Sequence, residues 1–118
     1  VAEPILRRLS GSEQAIVEAA ELFNESGFRR TVEGLTRSLG WPNVSFVPLS
    51  GTNPEVVITI CWDISWYQYR VGLDPDQPTY SARLAERGYE PADLDSAYTT
   101  WNGHLSDDGL VVPDISPV

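Results

Sequence analysis

Lysine and methionine are absent from this 118-residue chain, and cysteine and histidine occur once each. Without lysine there is no Schiff-base or P-loop lysine chemistry, and every basic side chain is an arginine. A single cysteine, Cys61, excludes an intramolecular disulfide, and Cys61 with His104 cannot supply the nitrogen and sulfur ligands of an ordinary zinc site. No apolar run approaches the ~18 residues of a membrane span, and Arg7 and Arg8 interrupt the apolar pair Ile5-Leu6, so the start does not read as a signal-peptide core. G-x-G-x-x-G, the P-loop, G-x-S-x-G and H-E-x-x-H are all missing, which leaves nucleotide, serine-hydrolase and zincin mechanisms unsupported. Positive charge is scarce too: 8 basic against 17 acidic residues give a formal charge of −9. Such a chain repels phosphate backbones and anionic lipid heads. The expectation is an acidic cytoplasmic protein with no metal and no cofactor, no nucleic-acid or membrane partner, and a protein or cationic partner instead.

Among the features present, the segment from Glu55 to Leu73 is the most informative. It has no proline, no glycine before Gly72, and many β-branched and aromatic residues, so it reads as strand. Fully extended at ~3.3 Å per residue it would span roughly 60 Å, against a radius of gyration near ~13–14 Å for a compact chain of this length. It must therefore bend or fold back. Cys61 to Trp66 contains no turn glycine, which favours a bend or β-bulge near Asp63 to Ser65 over a tight hairpin. Continuous alternation would then put Val56, Ile58, Ile60, Trp62, Ile64 and Trp66 on a core face, and Val57, Thr59, Cys61, Asp63, Ser65, Tyr67, Tyr69 and Val71 on a mixed one.

Around this strand the pattern predicts an α+β fold in one domain over residues 1–118. Ser10-Gly11-Ser12-Glu13 offers a capping box before a helix with Ile16, Ala19, Ala20 and Phe23 on one face. A second helix carries Phe28, Val32, Leu35 and Leu39 and stops at Gly40 and Pro42. Val44 to Leu49 reads as a short strand whose Pro48 end lies at an edge or a bulge, because proline cannot donate to a ladder, and the turn-forming run Ser50 to Pro54 joins it to the long strand. Ser81 to Arg87 reads as a short helix. A further helix from Pro91 is predicted by Leu94, Tyr98, Trp101 and Leu105 at i, i+4, i+7 and i+11, and Asp108-Gly109 turns the chain into a last strand at Leu110 to Val112. The expected architecture is thus a small antiparallel sheet with a long bent or bulged strand, two N-terminal helices and a C-terminal helical segment. Trp62, Trp101, Ile60, Phe23 and Leu35 are the expected core.

Three sets of residues invite chemistry. Cys61, Asp63 and His104 are the ingredients of a thiolate–imidazole–carboxylate arrangement, but a free cysteine is more often a small buried hydrophobe and a lone histidine a surface residue. Asp63, Glu86 and Glu90 could act as paired carboxylates only if a cleft brought them together. Asp74, Asp76, Asp107 and Asp108 lack the calcium-loop pattern and read as turn formers. No catalytic set is assigned. The mixed strand face is the expected binding surface, with Asp63, Ser65, Tyr67, Tyr69 and Arg70 as its residues, because tyrosines suit a surface that is apolar on one side and wet on the other. The function that follows is non-catalytic binding of a protein partner or of a second copy. The competing reading is a small-molecule site or enzyme with a pocket between sheet and helices, anchored by Asp63, Tyr67 and Tyr69.

Overall fold

The computed structural model describes residues 11–51, 54–73, 76 and 79–115. Two helices, α1 (Gly11–Glu25) and α2 (Phe28–Leu39), precede six strands: β1 (Asn43–Leu49), β2 (Glu55–Trp62), β3 (Ser65–Leu73), β4 (Tyr80–Gly88), β5 (Gly103–Leu105) and β6 (Val111–Pro113). The strands form one antiparallel sheet in the order β4-β3-β2-β1-β5-β6, so the fold is α+β. Both helices lie on one face of it. Ile16, Ala19, Ala20 and Phe23 of α1 and Val32 of α2 are buried against Val44, Phe46, Val56, Ile58, Ile60, Trp62, Tyr69 and Val71 of the sheet. Helical spacing of the first set and strand alternation of the second account for that single core. The expected capping box begins at Ser10, outside the described residues. Gly40 ends α2 at φ 90°, a conformation that favours glycine, and its N–H closes the last turn on the Thr36 carbonyl at 2.9 Å.

The long strand does not bend. It is two strands joined by a tight hairpin in which Trp62 pairs with Ser65 and only Asp63 and Ile64 form the loop. Neither loop residue has a positive φ, so this turn avoids the glycine-dependent geometries whose absence argued against a hairpin. The consequence reaches every residue beyond it. Ile60 now faces Tyr67, Ile58 faces Tyr69 and Val56 faces Val71, so the tyrosines join the helix-covered face. Trp66, Gln68 and Arg70 take the opposite face beside Cys61, Thr59 and Val57. Tyr69 is fully buried, with its ring 4.8 Å from Phe23 and 4.9 Å from Phe28.

Two expected helices are absent. Ser81 to Arg87 lies within β4, paired to β3 in a register that slips by one residue between Gln68 and Tyr69 and leaves Ala85 as a bulge. The predicted C-terminal helix is instead an extended crossing over the second sheet face, with two 3-10 turns at Pro91–Asp93 and Ser96–Tyr98. Its apolar spacing was coincidental, since Leu105 belongs to β5 and Trp101 is 39% exposed at a φ of 49°. Asn102 completes the crossing: its side-chain amide accepts from the Phe46 N–H at 2.7 Å and donates to the Phe46 carbonyl at 3.0 Å, occupying the place of a strand partner.

These placements rank substitutions. Phe23→Ala should cost about 3–5 kcal/mol, the range for emptying a buried aromatic site, whereas Trp101→Ala should cost no more than about 1 kcal/mol. Gly103→Ala should cost about 1–3 kcal/mol by overpacking, because a Cβ there would lie 2.3 Å from the Phe46 ring. Urea denaturation midpoints check all three.

Candidate apolar groove and the second sheet face

The second face is sealed chiefly by polar contacts. Ser45 and Thr59 are fully buried on adjacent strands, the Ser45 hydroxyl bonds the Thr100 hydroxyl at 2.8 Å, and Gln68 donates to Thr59 at 3.2 Å. Trp66 packs over Gly88 and donates its indole N–H to the Glu90 carbonyl at 2.9 Å. Farther along, Glu55 accepts from Arg70 at 3.3 Å and from Arg83, so one carboxylate holds two guanidiniums from neighbouring strands. Residues 89–102 thus provide the cover that the mixed face needs.

This arrangement separates the residues expected to form one surface. Asp63 is an exposed turn residue, and Arg70 pairs with Val57, five positions from the hairpin end of β2, or roughly 16 Å along the strand. Arg70 serves Glu55 and not Asp63. Ser65 and Tyr67 are half-buried on the helix side, where Tyr67 stacks on Tyr69 at 6.3 Å and meets Trp62 edge-on at 6.1 Å. Tyr69 presents no surface to a partner.

The thiol and imidazole are likewise apart. β1 lies between β2 and β5, so two strand spacings of about 4.8 Å each separate Cys61 from His104. The Cys61 thiol is buried and donates to the Trp62 carbonyl at 3.4 Å; burial, and then the nearby Asp63 carboxylate, raise its pKa above the ordinary 9.0. That disfavours the thiolate. His104 is committed to Asp114, with Nδ1 and Oδ1 2.6 Å apart. Glu86 and Glu90 are exposed. Among the described residues no group of three His, Cys, Asp or Glu side chains could hold a metal ion. No helix among them is long and apolar enough to cross a membrane.

The concave feature lies at the end of the sheet away from the β2–β3 hairpin, on the helix-covered face. Register aligns Pro48, Val56, Val71 and Ala82 in a row across four strands. Above that row α1 presents Ala15, Ala19 and Leu22 at i, i+4 and i+7. The two alanines are short and leave unfilled a groove of about 490 Å³, with Leu49, Pro54 and the exposed Tyr80 at its sides. The charged residues among its described lining are Glu18 and Glu55, and the Glu55 carboxylate turns to the opposite face. Glu55 is committed to its two arginines, while the exposed Glu18 accepts only from Gln14 among the hydrogen bonds of the described residues, at 3.1 Å. Sequence reading missed this site because it arises from what alternation cannot show: small residues on a helix set over the end of a four-strand row.

No family model, no curated protein and no solved structure matches this chain.

Tyr69 gives the core a pH signature. Burial among the aromatic rings, and then Tyr67 alongside, push its phenol far above the ordinary value of 10.0. The folded chain therefore holds the neutral phenol while the unfolded chain ionises near pH 10. Stability is intact below that pH and is lost as pH rises from there toward the folded-state pKa. Tyr69→Phe keeps the ring and removes the ionisation, so its denaturation midpoint should fall less between about pH 8 and about pH 11 than that of the parent. Equal losses in the two proteins would remove Tyr69 as the source.

Proposed function

We propose that this chain is a non-catalytic binding module that holds an apolar ligand, neutral or cationic at its polar end, in the groove between α1 and the sheet. The observation that carries this reading is the groove itself: about 490 Å³ walled by Ala15, Ala19, Leu22, Pro48, Val56 and Val71. That volume lies within the ~300–1,000 Å³ of ordinary ligand sites, which are mostly apolar with a few placed polar groups. The charge of the ligand follows from the lining. An anionic head would meet Glu18 with no arginine among the described lining residues to receive it, in a chain of net charge −9. A neutral or cationic head meets a carboxylate that can accept a hydrogen bond, and Tyr80 adds a second polar group to the lining.

The reading keeps the binding role expected from composition and moves it from the strand face to the groove. It also separates binding from catalysis, since Cys61, Asp63 and His104 do not line the groove and the thiol is held protonated. A pocket between sheet and helix was one of the two alternatives read from the sequence; its anchors are Glu18 and Tyr80 in place of Asp63, Tyr67 and Tyr69.

Titration with the neutral dye Nile red should give saturable fluorescence at one site per chain, and an anionic naphthalene sulfonate dye should bind more weakly. Ala15→Trp fills the groove from the half-buried face of α1, so it should abolish Nile red binding with little change in melting temperature. Binding that never saturates, or that survives Ala15→Trp in a folded protein, would overturn the assignment.

A further inference from the structure

The two edges of the sheet are unequal. β6 is three residues long and ends in Pro113, which cannot donate to a further strand, whereas β4 is nine residues long and, among the described residues, pairs on one side only. Three large apolar side chains stand exposed on or just beyond β4: Tyr80 at 64%, Leu84 at 43% and Tyr89 at 78%. From this edge we propose that the chain forms a homodimer in which β4 pairs antiparallel with β4 of a second copy, about a twofold axis between Leu84 and Ala85.

The bulge selects that register. Along β4, Tyr80, Ala82 and Leu84 share the helix face with Arg87, while Ser81 and Arg83 share the opposite face with Glu86 and Gly88, because Ala85 is the extra residue that inverts the alternation. Residues opposite one another in a sheet must point to the same side. An antiparallel pairing about that axis satisfies this rule on both sides of the bulge, with Leu84 facing Ala85 at the axis itself. It sets Ser81 against Gly88, Ala82 against Arg87 and Arg83 against Glu86, each twice by symmetry, and continued by one residue it sets Tyr80 against Tyr89.

The chemistry of the facing residues agrees with that geometry. Arg83 against Glu86 makes two cross-strand ion pairs, and Arg83, which gives Nη2 to Glu55, keeps a third of its side chain exposed. Ser81 against Gly88 is undemanding, and the tyrosines meet at both ends. Other registers bring residues of opposite faces together beside the bulge or leave part of the strand unpaired. Charge and bulge are therefore arranged against an arbitrary strand and in favour of a second β4. β4 is also where two arginines stand against one glutamate, so the copies meet at the least acidic edge of a chain of charge −9.

Sedimentation equilibrium of the full chain should show a monomer–dimer equilibrium. Glu86→Arg, at an exposed position, replaces both ion pairs with repulsion and should raise the dissociation constant about tenfold or more with the melting temperature unchanged. Tyr80→Cys with Tyr89→Cys, in a Cys61→Ser background, should give an interchain disulfide on mild oxidation, whereas either cysteine alone should not, because like positions lie roughly 30 Å apart in this register. A chain that remains monomeric at about 1 mM, a dimer indifferent to Glu86→Arg, or cysteines that fail to cross-link within a dimer would each overturn the proposal.

Discussion

The contact of Tyr69 with Phe23 and Phe28 ties together both helices and the middle of the sheet, and the rest of the structure is arranged so that this contact can form. Tyr69 reaches the helices because Trp62 pairs with Ser65, which fixes Ile58 opposite Tyr69 and no other residue. A slip of one residue would send the phenol to the opposite face and bring Gln68 beneath the helices, exposing an aromatic ring and burying an amide far from Thr59, its present partner. The hairpin at Asp63 and Ile64 is thus under strong constraint from a core some distance away. Its own sequence contributes little to that constraint.

The same register decides what each sheet face can do. With Trp62, Tyr67 and Tyr69 gathered under α1 and α2, the second face carries, beside Val57, Cys61 and Trp66, the polar side chains of Ser45, Thr59, Gln68, Arg70 and Arg83, which need hydrogen-bond partners. An extended segment meets that need better than a helix would, because its side chains and its backbone carbonyls can both face the sheet. The groove stands at the opposite end of the core from the hairpin, where alanines replace large side chains on α1 and packing thins.

How far the sequence revealed these features follows from which forces were local. The two helices, β1 and the terminal turn at Asp108-Gly109 carry periodicity and punctuation within their own residues, and they were readable. The hairpin was not, because its turn has neither glycine nor positive φ and its position is dictated by long-range pairing. β4 was misread for a similar reason. Ala82, Arg83, Leu84, Ala85, Glu86 and Arg87 are all good helix formers, the bulge at Ala85 breaks the alternation that would have identified a strand, and pairing with β3 overrides the local preference. The false helix after Pro91 shows the converse, since four apolar residues at helical spacing had no common surface to bury. The candidate site was legible only as a class, a pocket between sheet and helices, and not in its residues.

The amide of Asn102 has a chemical consequence that outlasts folding. It is followed by Gly103, whose unhindered backbone nitrogen is well suited to attack a neighbouring carboxamide, expelling ammonia to form a cyclic imide that water then opens to a carboxylate. In the folded chain that carboxamide is held by both hydrogen bonds to Phe46, and Gly103 is fixed opposite Val44. A molecule that ages while unfolded would return with a carboxylate oxygen against the Phe46 carbonyl, acceptor against acceptor, and with the anchor of its crossing segment lost. Native structure at this one residue therefore acts as a preservative of the carboxamide for as long as the crossing segment stays docked.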